Sequence, residues 1–135
     1  EHFKIDLAQI QTFETNLVAS ETLNTELAEF LQSLRPKYKT ALLSNAWPGT
    51  REAFNQKYGL DKLVDIQIFS AEEGTLKPET KFYQLALIRL QVRGYETVFL
   101  DDNAVNVDAA DLFGMRSIHY RNNEQAIKEI KRIIA

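Results

Sequence analysis

The sequence has no cysteine. That excludes a disulfide framework and thiolate chemistry, and it leaves the redox compartment open. Nor is there an apolar run near the roughly 20 residues that span a bilayer, and no signal-peptide pattern opens the chain. Positive charge is not in excess either: the net charge is −3, so no basic field is offered to nucleic acid or to an anionic membrane. Internal repeats, low-complexity tracts and linkers are missing as well. What is there is the balance of a soluble globular protein, 44% hydrophobic and 26% charged, in 135 residues. This is one domain's worth of chain with enough apolar material for a core, and the cytosol is the default compartment.

Along the chain, apolar residues at Leu7, Ile10, Phe13, Leu17 and Val18 have helical spacing and predict a helix from Asp6 to about Ala19. Asn24 is a good N-cap for a second helix through Leu27, Phe30, Leu31 and Leu34, which ends before Pro36. After that, short apolar runs and amphipathic stretches alternate. "TALLSNA" reads as a buried strand, "TREAFNQKYG" as a helix stopped by Gly59, and "DIQIFSAEEG" as a strand and loop. A helix is expected from Glu79 to about Gln91, broken by Gly94, followed by the strand "TVFLDD" and a helix from Val105 to Phe113 closed by Gly114. "RSIHY" and a helix from Glu124 to Ile134 complete four strand–helix units. Such alternation predicts an α/β fold, a parallel sheet covered by helices on both faces. Ligands of such sheets bind beyond the carboxyl ends of the strands.

That rule directs attention to Ser44 and Asn45, to the loop with Lys77, and to Asp101 and Asp102. Each has an ordinary explanation when taken alone. Ser-Asn is common in turns and caps, and Lys77 in "GTLKPET" is an ordinary loop lysine beside a proline suited to open a helix. One of the two aspartates is accounted for as a cap of the next helix. Together they form a set. Hydroxyl, amide and ammonium are the donors that hold a phosphate, and a carboxylate pair suits Mg²⁺ in an oxygen-only site. A cation also explains how adjacent aspartates at the end of an apolar strand both stay ionised. The constellation suits phosphoryl transfer, where positioning and charge neutralisation supply most of the catalysis.

"LLSNAWPG", "SAEEGTLKPETKFYQLAL" and "VFLDDNAVNVDAADLFGM" resemble the second, third and fourth motifs of the haloacid dehalogenase-like (HAD) superfamily, in the family's order. The resemblance runs from the helix at Asn24 to the C-terminus. It implies a Rossmann-like core over residues 21–135, with residues 1–20 as the remnant of a helical cap. It assigns Ser44 to the transferred phosphoryl group, Asn45 to the substrate site, and Lys77 to the charge of nucleophile and phosphate. Asp102 becomes the direct Mg²⁺ ligand, with Asp101 acting through water or on Lys77. Retention of both acids resembles the Mg²⁺-dependent phosphatases rather than the metal-free dehalogenases, and a small phosphorylated metabolite is the implied substrate.

One part of the family pattern is missing. Its first motif, D-x-D-x-[TV], supplies the nucleophile and the general acid, yet none of Asp6, Asp61, Asp65, Asp101, Asp102, Asp108 and Asp111 has an aspartate two positions on. The chain alone is therefore expected to be inactive. The first strand is expected to be absent too, leaving a gap between the strands that end in Ser44 and Asp102. Three outcomes are open: the chain is the C-terminal part of a longer protein, which is the expected cause; its inner strands pair directly; or another chain fills the gap, by homodimerisation or strand exchange. A non-catalytic α/β module for binding or dimerisation is the alternative from a different class. A phospho-acceptor receiver domain uses similar residues, but there the acid pair comes first and the lysine last. His119, lacking a second histidine nearby, His2, near the terminus, and the basic final helix with its inward isoleucines read as structural. Trp47 follows Asn45 closely enough to border the site and is equally suited to a packing role.

Overall fold

The computed structural model describes residues 6–10, 18–19 and 22–135. In chain order the elements are strands β1 (Asp6–Ile10), β2 (Val18–Ala19) and β3 (Thr22–Leu23), helix α1 (Thr25–Ser33), β4 (Thr40–Ser44) and α2 (Thr50–Tyr58). There follow β5 (Ile66–Phe69), α3 (Ser70–Glu73), α4 (Thr80–Leu90), β6 (Thr97–Asp101), α5 (Ala104–Phe113), β7 (Arg116–His119) and α6 (Asn123–Ile134). Five strands form one parallel sheet in the order β5-β4-β1-β6-β7, and β2 and β3 make a small antiparallel pair.

The two strands beside β1 are buried at every position, which a parallel sheet covered on both faces requires. Alternation along them divides the core. From β6, Val98 and Leu100 face a cluster with Leu27 and Leu31 of α1 and Ala126 and Ile130 of α6. Phe99 faces the opposite cluster, with Phe82, Ala86 and Leu90 of α4 and Val107 and Ala110 of α5. Asp101 is two residues on from Phe99, and the period of two gives it the α4–α5 side. A carboxylate is thus delivered to the end of a core strand by the same alternation that builds the core.

Local signals place the helix ends. The Asn24 side chain accepts the Leu27 N–H at 3.3 Å, and that of Asn103 accepts those of Val105 and Asn106 at 2.9 and 3.4 Å. Gly59 and Gly114 stop α2 and α5 in the left-handed conformation. Helix α4 ends earlier than Gly94, at Gln91 with φ 60°. Gly94 serves a different purpose: a Cβ there would come within 2.9 Å of the Gly114 carbonyl oxygen. The glycine is needed for close approach of two chain segments.

The largest correction concerns the opening segment. The apolar spacing of Leu7 and Ile10 predicts a helix, which the resemblance implies is the end of a cap, but Asp6–Ile10 is a strand at the centre of the core sheet. Leu7 is in register with Thr40 on one side and Val98 on the other. The expected absence of the first strand is corrected with it, since this strand fills the gap from within the chain. With no gap between β4 and β6, the reason to expect strand exchange is removed. Pairing on both sides is the physical cause: an extended segment between β4 and β6 satisfies two rows of backbone N–H and C=O groups that a helix there would leave unpaired. The end of the expected helix is also extended, Val18–Ala19 pairing as β2 with β3, while residues 11–17 and His2 lie outside the described residues.

Candidate active site

The carboxyl ends of β4 and β6 flank β1 and carry Ser44 and Asp101; both residues are fully buried. Lys77, just before α4, reaches the same edge and is 1% exposed. Its Nζ donates to Asp101 Oδ2 at 2.9 Å. The Asn106 amide donates to the same oxygen at 3.1 Å, and the Asn103 N–H donates to Oδ1 at 2.8 Å. Burial pushes the Asp101 carboxyl above the usual carboxylate range, and the Lys77 charge, the Asn103 N–H and the donors on Oδ2 oppose that shift. Asp101 is thereby Lys77's partner, one of the two roles the resemblance allowed it.

Asn45 holds the lysine from the other side. Its Oδ1 accepts the Lys77 N–H and its Nδ2 donates to the Lys77 carbonyl, both at 2.9 Å. This pair of bonds clamps the main chain of the lysine loop onto the end of β4. The loop is closed on itself as well: the Glu79 carboxylate accepts from the Thr75 hydroxyl at 2.7 Å and from the Leu76 N–H at 3.1 Å. Those two bonds hold the Glu79 carboxyl below its ordinary range. Asn45→Ala is expected to destabilise the protein by about 1–3 kcal/mol, since it removes both clamp bonds from a partly buried backbone. Urea denaturation measures this, and a loss below about 0.5 kcal/mol would contradict the clamp.

Ser44 Oγ is buried without a hydrogen-bond partner among the described residues. Buried hydroxyls are normally satisfied, and leaving one unmade costs about 1–3 kcal/mol. It lies at a strand end, one residue before the Asn45 that clamps the Lys77 loop. Asp102, next to Asp101, is only partly buried. Its carbonyl lies 2.9 Å from His119 Nε2 on β7, so His119 supports the acid loop when that nitrogen carries the proton. No group of three potential metal-ligating side chains occurs among the described residues. Mg²⁺ does not require one, because it takes one or two carboxylates together with phosphate oxygens and water.

The structure therefore brings Lys77, Asp101 and Asn45 into contact and sets Ser44 and Asp102 on the same sheet edge. Sequence reasoning missed Asn106 and Tyr83. The Tyr83 hydroxyl donates to the Asn106 carbonyl at 2.8 Å, fully buried, and burial with the nearby Asp101 pushes that phenol upward. The available signal was Asn106 itself, a polar residue in the first turn of the helix that follows the acid pair.

The C-terminal end of β1 is level with Leu43 and Leu100, beside the site, while Asp6 pairs with Thr97 at the opposite edge. The described part of this strand fills the sheet without bringing an aspartate to the site.

Comparison with known proteins bears on this arrangement. Residues 2–114 match the family model of haloacid dehalogenase-like hydrolases. The chain is 28% identical over 121 residues to bifunctional epoxide hydrolase 2 of Rattus norvegicus, covering 86% of this chain and 22% of that protein. It is 30% identical over 124 residues to the phosphorylated carbohydrates phosphatase of Thermotoga maritima, covering 86% of this chain and 57% of that one. It thus spans between about a fifth and three-fifths of these relatives' lengths. A solved structure of a HAD family enzyme from Bacteroides thetaiotaomicron, in complex with magnesium and inorganic phosphate, matches with a TM-score of 0.66 at 22% identity. It covers 73% of this chain and 53% of that one, and at that identity the likeness is of fold. No helix of the described residues is long and apolar enough to cross a membrane. The chain belongs to the haloacid dehalogenase-like hydrolase family.

Proposed function

We propose that this chain carries the phosphate- and Mg²⁺-binding part of a cytosolic phosphatase that acts on a small phosphorylated metabolite. The observation that carries the reading is the buried, unpartnered Ser44 hydroxyl at a strand end beside Lys77. A phosphoryl oxygen accepting from Ser44 Oγ would satisfy it. The Lys77 ammonium, paired with Asp101, offsets negative charge on the phosphoryl group. Asn45 fixes where that ammonium stands through the Lys77 main chain. Asp102 would hold Mg²⁺, with Asp101 outside the metal's direct shell because its two oxygens serve Lys77, Asn106 and Asn103. When bound, the metal supplies charge neutralisation at the phosphate. The Bacteroides thetaiotaomicron enzyme with magnesium and phosphate supports that pairing of ligands on this fold.

The nucleophile is the missing part. No D-x-D occurs in the sequence, and without a positioned carboxylate no phospho-aspartate forms. The chain by itself is expected to bind phosphate and to leave p-nitrophenyl phosphate unhydrolysed in the presence of Mg²⁺. Robust Mg²⁺-dependent hydrolysis by purified protein of this mass would overturn the second half. Phosphate affinity that is the same in Ser44→Ala would overturn the first.

The absent nucleophile also favours a second reading, a non-catalytic module that keeps the fold for binding. That reading gives Ser44, Lys77 and the two acids no shared task, and a measurable phosphate site decides against a purely structural role.

A further inference from the structure

Three of the exposed large apolar side chains lie in the segments that follow the strand ends or carry Lys77: Trp47 at 84% exposure, Leu76 at 43% and Val105 at 62%. Trp47 comes three residues after Ser44, and Leu76 directly precedes Lys77. The same two segments that carry the phosphate donors therefore end in apolar surface. Between them lies a cleft of about 290 Å³ lined by Asn45, Ala46, Trp47, Ser70 and Leu76.

The polar side chains of this cleft already have partners. Both ends of the Asn45 amide are bonded to the Lys77 main chain. The Ser70 hydroxyl accepts the Ala46 N–H at 2.9 Å and donates to the Ala46 carbonyl at 3.3 Å. A polyhydroxylated group placed here would lose water without gaining side-chain partners, which is costly. An apolar group would instead cover exposed indole and leucine surface, which is favourable in proportion to the area removed from water.

Building on the phosphate site proposed above, we infer that the phosphate ester held at Ser44 and Lys77 carries an aromatic or alkyl group that seats against Trp47 and Leu76, rather than a sugar. Trp47 and Leu76 are then specificity-determining residues, and the substrate class is the monophosphate of an apolar alcohol or phenol.

Trp47 is the sole tryptophan, so its fluorescence reports the cleft without labelling. The test compares phenyl phosphate, glucose 6-phosphate and inorganic phosphate by calorimetric titration with Mg²⁺ present, following Trp47 emission in parallel. Phenyl phosphate is expected to bind about tenfold tighter than the other two and to shift the emission to the blue. In Trp47→Ala, and separately in Leu76→Ala, the ratio of phenyl phosphate to inorganic phosphate affinity is expected to fall toward one. Both side chains are exposed, so neither change threatens the core. Equal affinity for phenyl phosphate and glucose 6-phosphate, with both weakened by Ser44→Ala, would overturn the apolar subsite and leave the phosphate site standing. If none of the three binds, or if Ser44→Ala leaves all three affinities as they were, the phosphate site itself is wrong and the subsite falls with it.

Discussion

Replacing Lys77 with methionine should destabilise the protein by about 3–5 kcal/mol, a large share of the stability of a single domain. The change removes the ammonium that stands 2.9 Å from the fully buried Asp101 carboxylate, against a desolvation penalty of several kcal/mol. Protonation limits the loss. Asp101 is already pushed upward by burial, and without Lys77 it holds its proton more tightly still. The deficit relative to the unaltered protein should therefore narrow as pH falls, because the proton replaces the missing charge at less cost. The double change Lys77→Met with Asp101→Leu should recover most of the stability, since an apolar pair of similar volume often replaces a buried ion pair at no net loss. Denaturant unfolding of the two single variants and the double one, at pH 7 and pH 5, closes the cycle. A loss under about 1 kcal/mol for Lys77→Met would show that the pair is not the buried contact described here. Recovery in the double variant would mean the pair is kept for the site and not for the fold.

The second large effect is on metal binding. Asp102→Asn should weaken Mg²⁺ binding by about 100-fold in the presence of inorganic phosphate, on the scale seen for changes within and just beyond a metal's ligand shell. Asp108→Asn removes the same charge from the exposed side of α5, six residues on. It should change the affinity less than about twofold, because an exposed charge at that remove is screened by solvent and salt. Calorimetric titration with Mg²⁺ separates direct ligation from general acidity. Equal effects from the two changes would contradict the assignment of Asp102. In a family member completed by its nucleophile, the same Asp102 change should also collapse turnover.

The features legible in the sequence share one physical property: they depend on near neighbours. Asn24 and Asn103 cap helices through amides two or three residues away, and Gly59 and Gly114 stop helices by their own conformational freedom. The buried runs at Thr40–Ser44 and Thr97–Asp101 have the composition of strands covered on both faces. From the alternation of these elements the parallel sheet follows. The rule that ligands bind at strand ends then picks out Ser44, Lys77 and Asp101 before any contact is known.

Other features depend on partners far along the chain. The spacing of Leu7 and Ile10 is compatible with a helix, and only the presence of β4 and β6 on either side makes it a strand. No local rule announces that Asn45 grips the main chain of Lys77, thirty-two residues away. Nor does one announce that Asn106, held by Tyr83, shares an Asp101 oxygen with the lysine. These are meetings of elements, and their energies exist only after the sheet has formed.

By itself, then, the sequence determined the class of fold, the chemistry of the donor set and the lack of a D-x-D nucleophile. Composition, period and residue type carry those, and none needs a third dimension. Only the tertiary structure decided that the central place in the sheet is filled by Asp6–Ile10, that Asp101 serves Lys77, and that the Ser44 hydroxyl is buried without a partner among the described residues. The reason is that hydrogen-bond satisfaction is a property of the assembled molecule. Which buried groups find partners, and which do not, is settled when distant segments meet.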